Sequence, residues 1–171
     1  MGVRGPRLLE LAAETANGLI LSGPRKYIEE SIKLVLNRRA SLNLPRSRFR
    51  FVLWVPTVML LEKSDLTLVK KTVAIVASDT PNSVLEIAGI SRNEVETLKA
   101  NIIKHGIKSA AENVSDRLVD QFCISGDAES ICRNFSSYSS LGVDEAVFGP
   151  PYGRDPLNAI SQVAEKWRRK Q

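Results

Sequence analysis

Two Gly-Pro pairs, Gly5-Pro6 and Gly23-Pro24, bracket the stretch "GPRLLELAAETANGLILSGP". Proline is welcome in the first turn of a helix, where its missing N–H would have had no partner. Each pair therefore opens a helix. Leu8, Leu9, Leu11, Ala12 and Ala16 follow the first pair at helical spacing. Tyr27, Ile28, Ile32, Val35 and Leu36 follow the second, up to about Leu42. Between them Asn17-Gly18 ends the first helix, and Leu19-Ile20-Leu21 is too short for anything but a buried strand. A short buried strand between two helices points to βαβ connectivity and a parallel sheet.

The rest of the chain continues the alternation. Arg48 to Leu60 is expected to be a strand, with Pro56 near its end. Ser64-Asp65 caps a helix over about Leu66 to Ala77, and Asp79 to Asn82 breaks it. Short helices come next. Ser91 and Glu94 form a capping-box pattern for a helix that ends near His105-Gly106. Further helices cover about Ser115 to Phe122, and from Gly126-Asp127 to Gly142. Val143 to Phe148 is expected to be a strand and "GPPYGRDP" (Gly149 to Pro156) a loop. Asp155 is placed to cap a terminal amphipathic helix over Leu157 to Arg169. This gives three convincing strands. An open doubly wound sheet normally has five or six and a closed (β/α)8 barrel eight, so the chain has the look of part of a larger sheet.

Charge and composition exclude several classes. The 24 Lys and Arg outnumber the 19 Asp and Glu, a net charge of +5. The basic residues, such as Arg38-Arg39, Lys70-Lys71 and Arg168 to Lys170, are scattered and suit a solvated surface or an anionic small ligand. No basic stripe interleaves with aromatics, so specific nucleic-acid binding is not expected. Cys123 and Cys132 fit no zinc spacing, and His105 is the only histidine, so no metal site is expected. No signal peptide precedes the first helix, and no run approaches the roughly 18 apolar residues of a membrane span. Two reduced thiols and the lack of membrane signals suggest a cytoplasmic protein.

"VRGPRLLELAAETANGLILSGP" resembles the junction after the fifth strand of luciferase-like (β/α)8 barrels, where a Gly-Pro helix start is followed by Asp-Gly before the sixth strand; Asn17-Gly18 stands in that place. "FCISGDAESICRNFSSYSSLGVDEAVFGPPYGRDP" resembles the end of the same fold: a helix opened by a Gly-x-x-x-Glu-type pattern, a Leu-Gly-Val turn, the eighth strand and a Gly-rich loop. The nearest branch is the methylene-tetrahydromethanopterin reductases and their archaeal relatives. The flanks match well and Ser78 to Ala111 only loosely.

The resemblance implies an α/β chain, an incomplete TIM (β/α)8 barrel of roughly the sixth to eighth βα units. A helical insertion, about 78–122, precedes the last strand, all in one domain over 1–171. It implies an oxidoreductase, of monooxygenase or reductase type, using FMN or the deazaflavin coenzyme F420 for hydride transfer on a small-molecule substrate. The family draws much of its catalytic constellation from its first four strands. This chain is therefore expected to be inactive alone, and to work as a homo-oligomer or with a chain supplying the other barrel half. The alternative is a non-catalytic interaction or scaffold module.

The residues and the resemblance together give two candidate sites. A Gly-Pro helix start leaves free N–H groups and partial positive charge, which suit phosphate. Arg4, Gly5, Arg7 and Leu8 are the cofactor-binding candidates, and in the family the matching positions hold the cofactor's phosphate. A helix cap flanked by surface arginines is the plainer reading of the residues themselves. Ser22, at a strand's carboxyl end, and Arg25, in the next helical turn, are the substrate-binding candidates by the same resemblance. A turn serine and a solvated arginine remain the alternative there.

Overall fold

The computed structural model describes residues 1–169. Helix α1 (Pro6–Thr15) leads into strand β1 (Gly18–Leu21) and helix α2 (Arg25–Ser41). A 3-10 turn (Arg46–Arg48) precedes β2 (Arg50–Met59), and another (Lys63–Asp65) precedes α3 (Leu66–Ser78). Then come α4 (Asn82–Ala88), α5 (Arg92–Glu112), α6 (Asp116–Phe122), β3 (Ile124–Gly126), α7 (Ala128–Ser139), β4 (Glu145–Tyr152) and α8 (Pro156–Arg168). All strand pairings are parallel. The α/β class and parallel connectivity are as the helix–strand alternation implies.

β2 is the hub. Leu53 is flanked by Leu21 of β1 and Ala146 of β4, while Val58 is flanked by Ser125 of β3 and Tyr152 of β4. β1 and β3 therefore lie end to end along one side of β2, and β4 runs along the other. Before α1, Gly2 bridges to Ile20 in parallel, and the Ile20 N–H donates to the Met1 carbonyl at 2.7 Å. The chain thus supplies a strand-like stretch beside β1 as well.

Side chains alternate across these strands. Leu19, Leu21, Phe51, Leu53 and Val55 are buried against the helices, in one core with Leu9, Ile28, Ile32, Val35, Ile131 and Phe135. Burying each such side chain stabilises the fold by about 1.5–3 kcal/mol. Ile20, Val52, Trp54 and Val147 fall on the opposite, open face, where Ile20 and Val147 are exposed. A second core joins Val58 to α3, α4, α5 and α6 through Val69, Val73, Leu85, Leu98, Leu118 and Phe122. Helices α3 to α6 thus bury their apolar faces on one another and on the far end of β2.

Three expectations need correction. The structure has a fourth strand, β3: three residues are too few to display a period, and only the pairing with Thr57–Met59 defines it. β4 continues through Gly149 to Tyr152, so half of the expected "GPPYGRDP" loop is strand. Two prolines are tolerated because β4 is an edge strand. Arg39, grouped with the solvated basic residues, is buried. Its guanidinium donates to the Ala13 carbonyl at 2.8 Å and the Pro45 carbonyl at 3.0 Å, and lies 4.6 Å from the Phe49 ring centroid. It ties the end of α1 to the approach to β2.

The capping patterns are realised in part. Ser91 Oγ accepts from the Glu94 N–H at 3.4 Å, but the Glu94 carboxylate takes Ser115 Oγ at 2.9 Å instead of closing the box. α5 breaks at Gly106 (φ 78°, ψ 166°), where the sequence predicts an end, then resumes to Glu112. Asp155 caps α8 by accepting from the Asn158 N–H at 3.1 Å.

Candidate functional site

The N-terminus of α1 has no side-chain cap. Gly5 precedes it at φ 89°, a conformation L side chains rarely adopt, and an added Cβ there would meet nothing within 4 Å. Its N–H donates to the Tyr27 hydroxyl at 3.3 Å, which fixes the turn against α2. Pro6 occupies the first helical position, so the next free donors are the N–H groups of Arg7 and Leu8. Arg7 is exposed and Arg4 half-buried. Open backbone donors, a helix dipole and two arginines suit an anion such as phosphate. The phosphate of FMN or coenzyme F420 fits this donor set in charge and in backbone access.

Arg4 and Ser22 come together. With Gly2, Val3, Ile20 and Trp54 they line a cavity of ≈ 340 Å³ on the open face of the sheet. Register explains the grouping. Gly2 stands opposite Ile20, so Arg4 is level with Ser22; Leu21 stands opposite Leu53, so Ser22 is level with Trp54. Sequence reasoning gives Trp54 no place in a site. Its even-numbered parity with Val52, opposite to the buried Phe51 and Leu53, is the signal that places it on this face.

Arg25 does not join this cavity. Its guanidinium donates to Ser137 Oγ at 2.8 Å and to the Ser137 carbonyl at 2.9 Å, and lies 4.6 Å from the Tyr138 ring centroid. Burial pushes the Tyr138 phenol above its ordinary range, and the guanidinium opposes that rise. Arg25 holds the start of α2 to the end of α7.

At the carboxyl end of β2, Asp65 accepts from the Leu61 and Glu62 N–H groups at 2.8 and 2.9 Å. Arg154, just after β4, reaches Glu62 at 3.0 Å, Asp65 at 3.2 Å and Ser64 Oγ at 2.5 Å. This cluster sets the loops after β2 and β4 beside one another. Sequence reasoning sees Ser64-Asp65 as a helix cap and gives Arg154 no role. Among the described residues no group of three His, Cys, Asp or Glu could hold a metal ion, and no helix is long and apolar enough to cross a membrane.

Of Arg4, Gly5, Arg7 and Leu8 only Arg4 lines the cavity shared with Ser22, and a short parallel strand, a Gly-Pro turn and an uncapped helix N-terminus define a βα junction of the kind that carries sites in parallel α/β barrels. The family model of luciferase-like monooxygenases matches residues 1–145, and the chain belongs to that family. Within it, the chain is similar to the 5,10-methylenetetrahydromethanopterin reductase of Archaeoglobus fulgidus, 27% identical over 175 residues, which cover 97% of this chain and 52% of that protein. The structure superposes on the coenzyme F420 dependent tetrahydromethanopterin reductase of Methanopyrus kandleri with a TM-score of 0.88 at 23% identity, over 99% of this chain and 50% of that one. An F420-dependent secondary alcohol dehydrogenase, solved with an F420-acetone adduct, matches with a TM-score of 0.64 at 12% identity, over 96% of this chain and 46% of that one. The chain spans about half the length of the relatives it matches.

Proposed function

We propose that this chain forms the sixth to eighth βα units of a luciferase-like oxidoreductase and supplies the phosphate cradle of its cofactor. The observation that carries this is the uncapped start of α1, with Gly5 at φ 89° and Arg4 and Arg7 beside it. The cofactor is coenzyme F420 or FMN, in keeping with relatives described as F420-dependent. The Arg7 and Leu8 N–H groups and the two guanidinium groups would hold its phosphate. When bound, the cofactor supplies the hydride chemistry, so the protein's share is binding and orientation. Ser22, on the same cavity as Arg4, faces the place where a small substrate would enter. Arg25 acts indirectly, by fixing the turn that carries Ser22. The remaining walls of the site would come from the half of the barrel that lies outside the part of the relatives this chain spans.

The open sheet face supports a second reading, a non-catalytic interaction module. Titration with FMN and with coenzyme F420, read by cofactor fluorescence, separates the two. The cradle predicts saturable binding that weakens at least about tenfold in the Arg4→Ala/Arg7→Ala double variant. Unchanged affinity in that variant removes the cradle. Absence of binding, both alone and with a polypeptide carrying the other half of the relatives, favours the interaction module.

A further inference from the structure

We infer that the cleft between α1, α2 and α4 binds a small neutral molecule with an apolar body and one acceptor oxygen, anchored by the hydroxyls of Ser31 and Tyr27. The site is independent of the phosphate proposed at the start of α1.

The cleft encloses ≈ 280 Å³. Pro6 and Leu9 wall it from α1, Leu34 from α2 and Ile87 from α4. Helices α1 and α2 pack on the covered face of the sheet, where Leu9 and Ile28 share a core with Leu19, Leu21 and Leu53. None of the cleft's walls lies on the open sheet face or along β4, so what covers those surfaces does not bear on it.

Ser31 lines the cleft and is 2% exposed, and its Oγ is buried with no hydrogen-bond partner. A serine inside a helix commonly turns its hydroxyl back to the carbonyl four residues before it, as Ser136 does to Cys132 at 2.8 Å. Ser31 does not. A buried hydroxyl left without a partner destabilises the fold, and one on the wall of a cavity is satisfied by what fills that cavity. Tyr27, one turn earlier on the same face of α2, is buried and lines the cleft too. Its oxygen accepts from the Gly5 N–H at 3.3 Å, and its own proton has no acceptor among the described residues. Two hydroxyl protons without acceptors thus border one cleft.

Water fills such a space poorly. At roughly 30 Å³ per molecule, ≈ 280 Å³ has room for about nine waters. A buried water typically makes about three hydrogen bonds, and the side chains of Pro6, Leu9, Leu34 and Ile87 offer none. An apolar body that takes the place of that water is therefore favoured. Glu30, the charged residue on the lining, is paired with Lys33 at 3.0 Å, so the cleft offers an ion no unpaired charge. The occupant is neutral. Its oxygen accepts from Ser31 and Tyr27, and its hydrocarbon part lies along Leu34 and Ile87.

The test titrates tetrahydropyran, and cyclohexane as its isostere without oxygen, into the isotope-labelled chain, read by amide shifts in two-dimensional NMR. With tetrahydropyran the shifts of Gly5, Tyr27, Ser31 and Ile87 should saturate together, with a Kd in roughly the millimolar range. Ser31→Ala should weaken tetrahydropyran about fivefold and leave the response to cyclohexane unchanged. That variant should melt no lower than the wild type, because it removes an unpartnered buried hydroxyl. Tyr27→Phe keeps the ring and should weaken tetrahydropyran by a similar factor, so it carries the same prediction should Ser31→Ala fail to fold. Ile87→Trp, at a half-buried position on the wall, should fill the cleft and abolish the response to both. Shifts at those four amides that do not saturate mean that water alone occupies the cleft, and overturn the inference. Tetrahydropyran binding that Ser31→Ala and Tyr27→Phe both leave as tight overturns it as well. So does binding that survives Ile87→Trp, which would put the ligand elsewhere.

Discussion

Asp65 and Arg154 lie 89 residues apart in the chain, yet their side chains meet at 3.2 Å at the carboxyl end of the sheet. Asp65 is 4% exposed and accepts two backbone N–H bonds from its own turn, so it stays charged where it is. Those two bonds, from Glu62 and then Leu61, hold its carboxyl below the ordinary range; burial opposes the shift and Arg154 adds to it. A depressed carboxyl contributes stability that is present above the unfolded value, about 3.9, and is lost as pH falls through the folded value. The urea midpoint of the wild type should therefore fall as pH drops below about 4. Asp65→Asn should be less stable at neutral pH and lose part of that acid dependence. Equal midpoint changes between pH 7 and pH 3 in the two proteins would remove Asp65 as the source.

Arg25 is predicted to be a structural tie. Its two bonds to Ser137 and its contact with the Tyr138 ring join α2 to α7. Arg25→Ala should destabilise the chain by about 1 kcal/mol. Arg25→Lys should recover little, because an ammonium cannot reproduce the fork or the stacking. Thermal melts of the three proteins test this. A melt of Arg25→Ala equal to that of the wild type would show the tie to be idle.

The sequence carries the local grammar of this fold and little of its long-range electrostatics. Pro6, Pro24, Ser91 and Asp155 announce helix starts because capping and proline preferences are decided within a few residues. The uncapped start of α1 behind Gly5 is legible for the same reason, whereas the proposed phosphate role of Arg4, Gly5, Arg7 and Leu8 comes from the family resemblance. β3 is invisible because its three residues are a strand only by virtue of Thr57–Met59 beside them. Arg39 and Arg154 look like any surface arginine, since their partners, Ala13 and Asp65, are distant in sequence. Trp54 joins the site through register, which the spacing of residues on one strand does not reveal.

The two cysteines should be inert in the folded chain. Neither Cys123 nor Cys132 is in a disulfide, and both are buried. Burial pushes the Cys123 thiol up to about 12, so its thiolate is scarce at neutral pH. The Cys132 thiol lies against the Val163 carbonyl at 3.7 Å, beneath α8. An aromatic disulfide reagent at mildly alkaline pH should find no fast-reacting thiol in the native protein and both after unfolding in guanidinium. Rapid native labelling of Cys123 would mean that the packing of α6 against α3 opens readily.

Two glycines make opposite predictions about the cradle and the sheet. At Gly149 an added Cβ would stand 2.6 Å from the Val55 carbonyl oxygen, where β4 crosses β2. The nearest atoms are Val55 backbone, with the Trp54 ring at 3.3 Å, so backbone must yield first and Gly149→Ala should destabilise by about 2 kcal/mol or more through overpacking. At Gly5 there is open space, and the cost of Gly5→Ala is the conformational one of φ 89°, ψ 149°, about 1–3 kcal/mol. The chain can escape that cost by relaxing the turn, which re-aims the Arg7 and Leu8 N–H groups. Gly5→Ala should therefore keep a cooperative melt and lose anion affinity, while Gly149→Ala should lower the melt and, where folded, keep the affinity. Melting curves read beside titration with FMN decide the matter. A Gly5→Ala protein that binds as tightly as the wild type would show that the turn at α1 is a cap and nothing more.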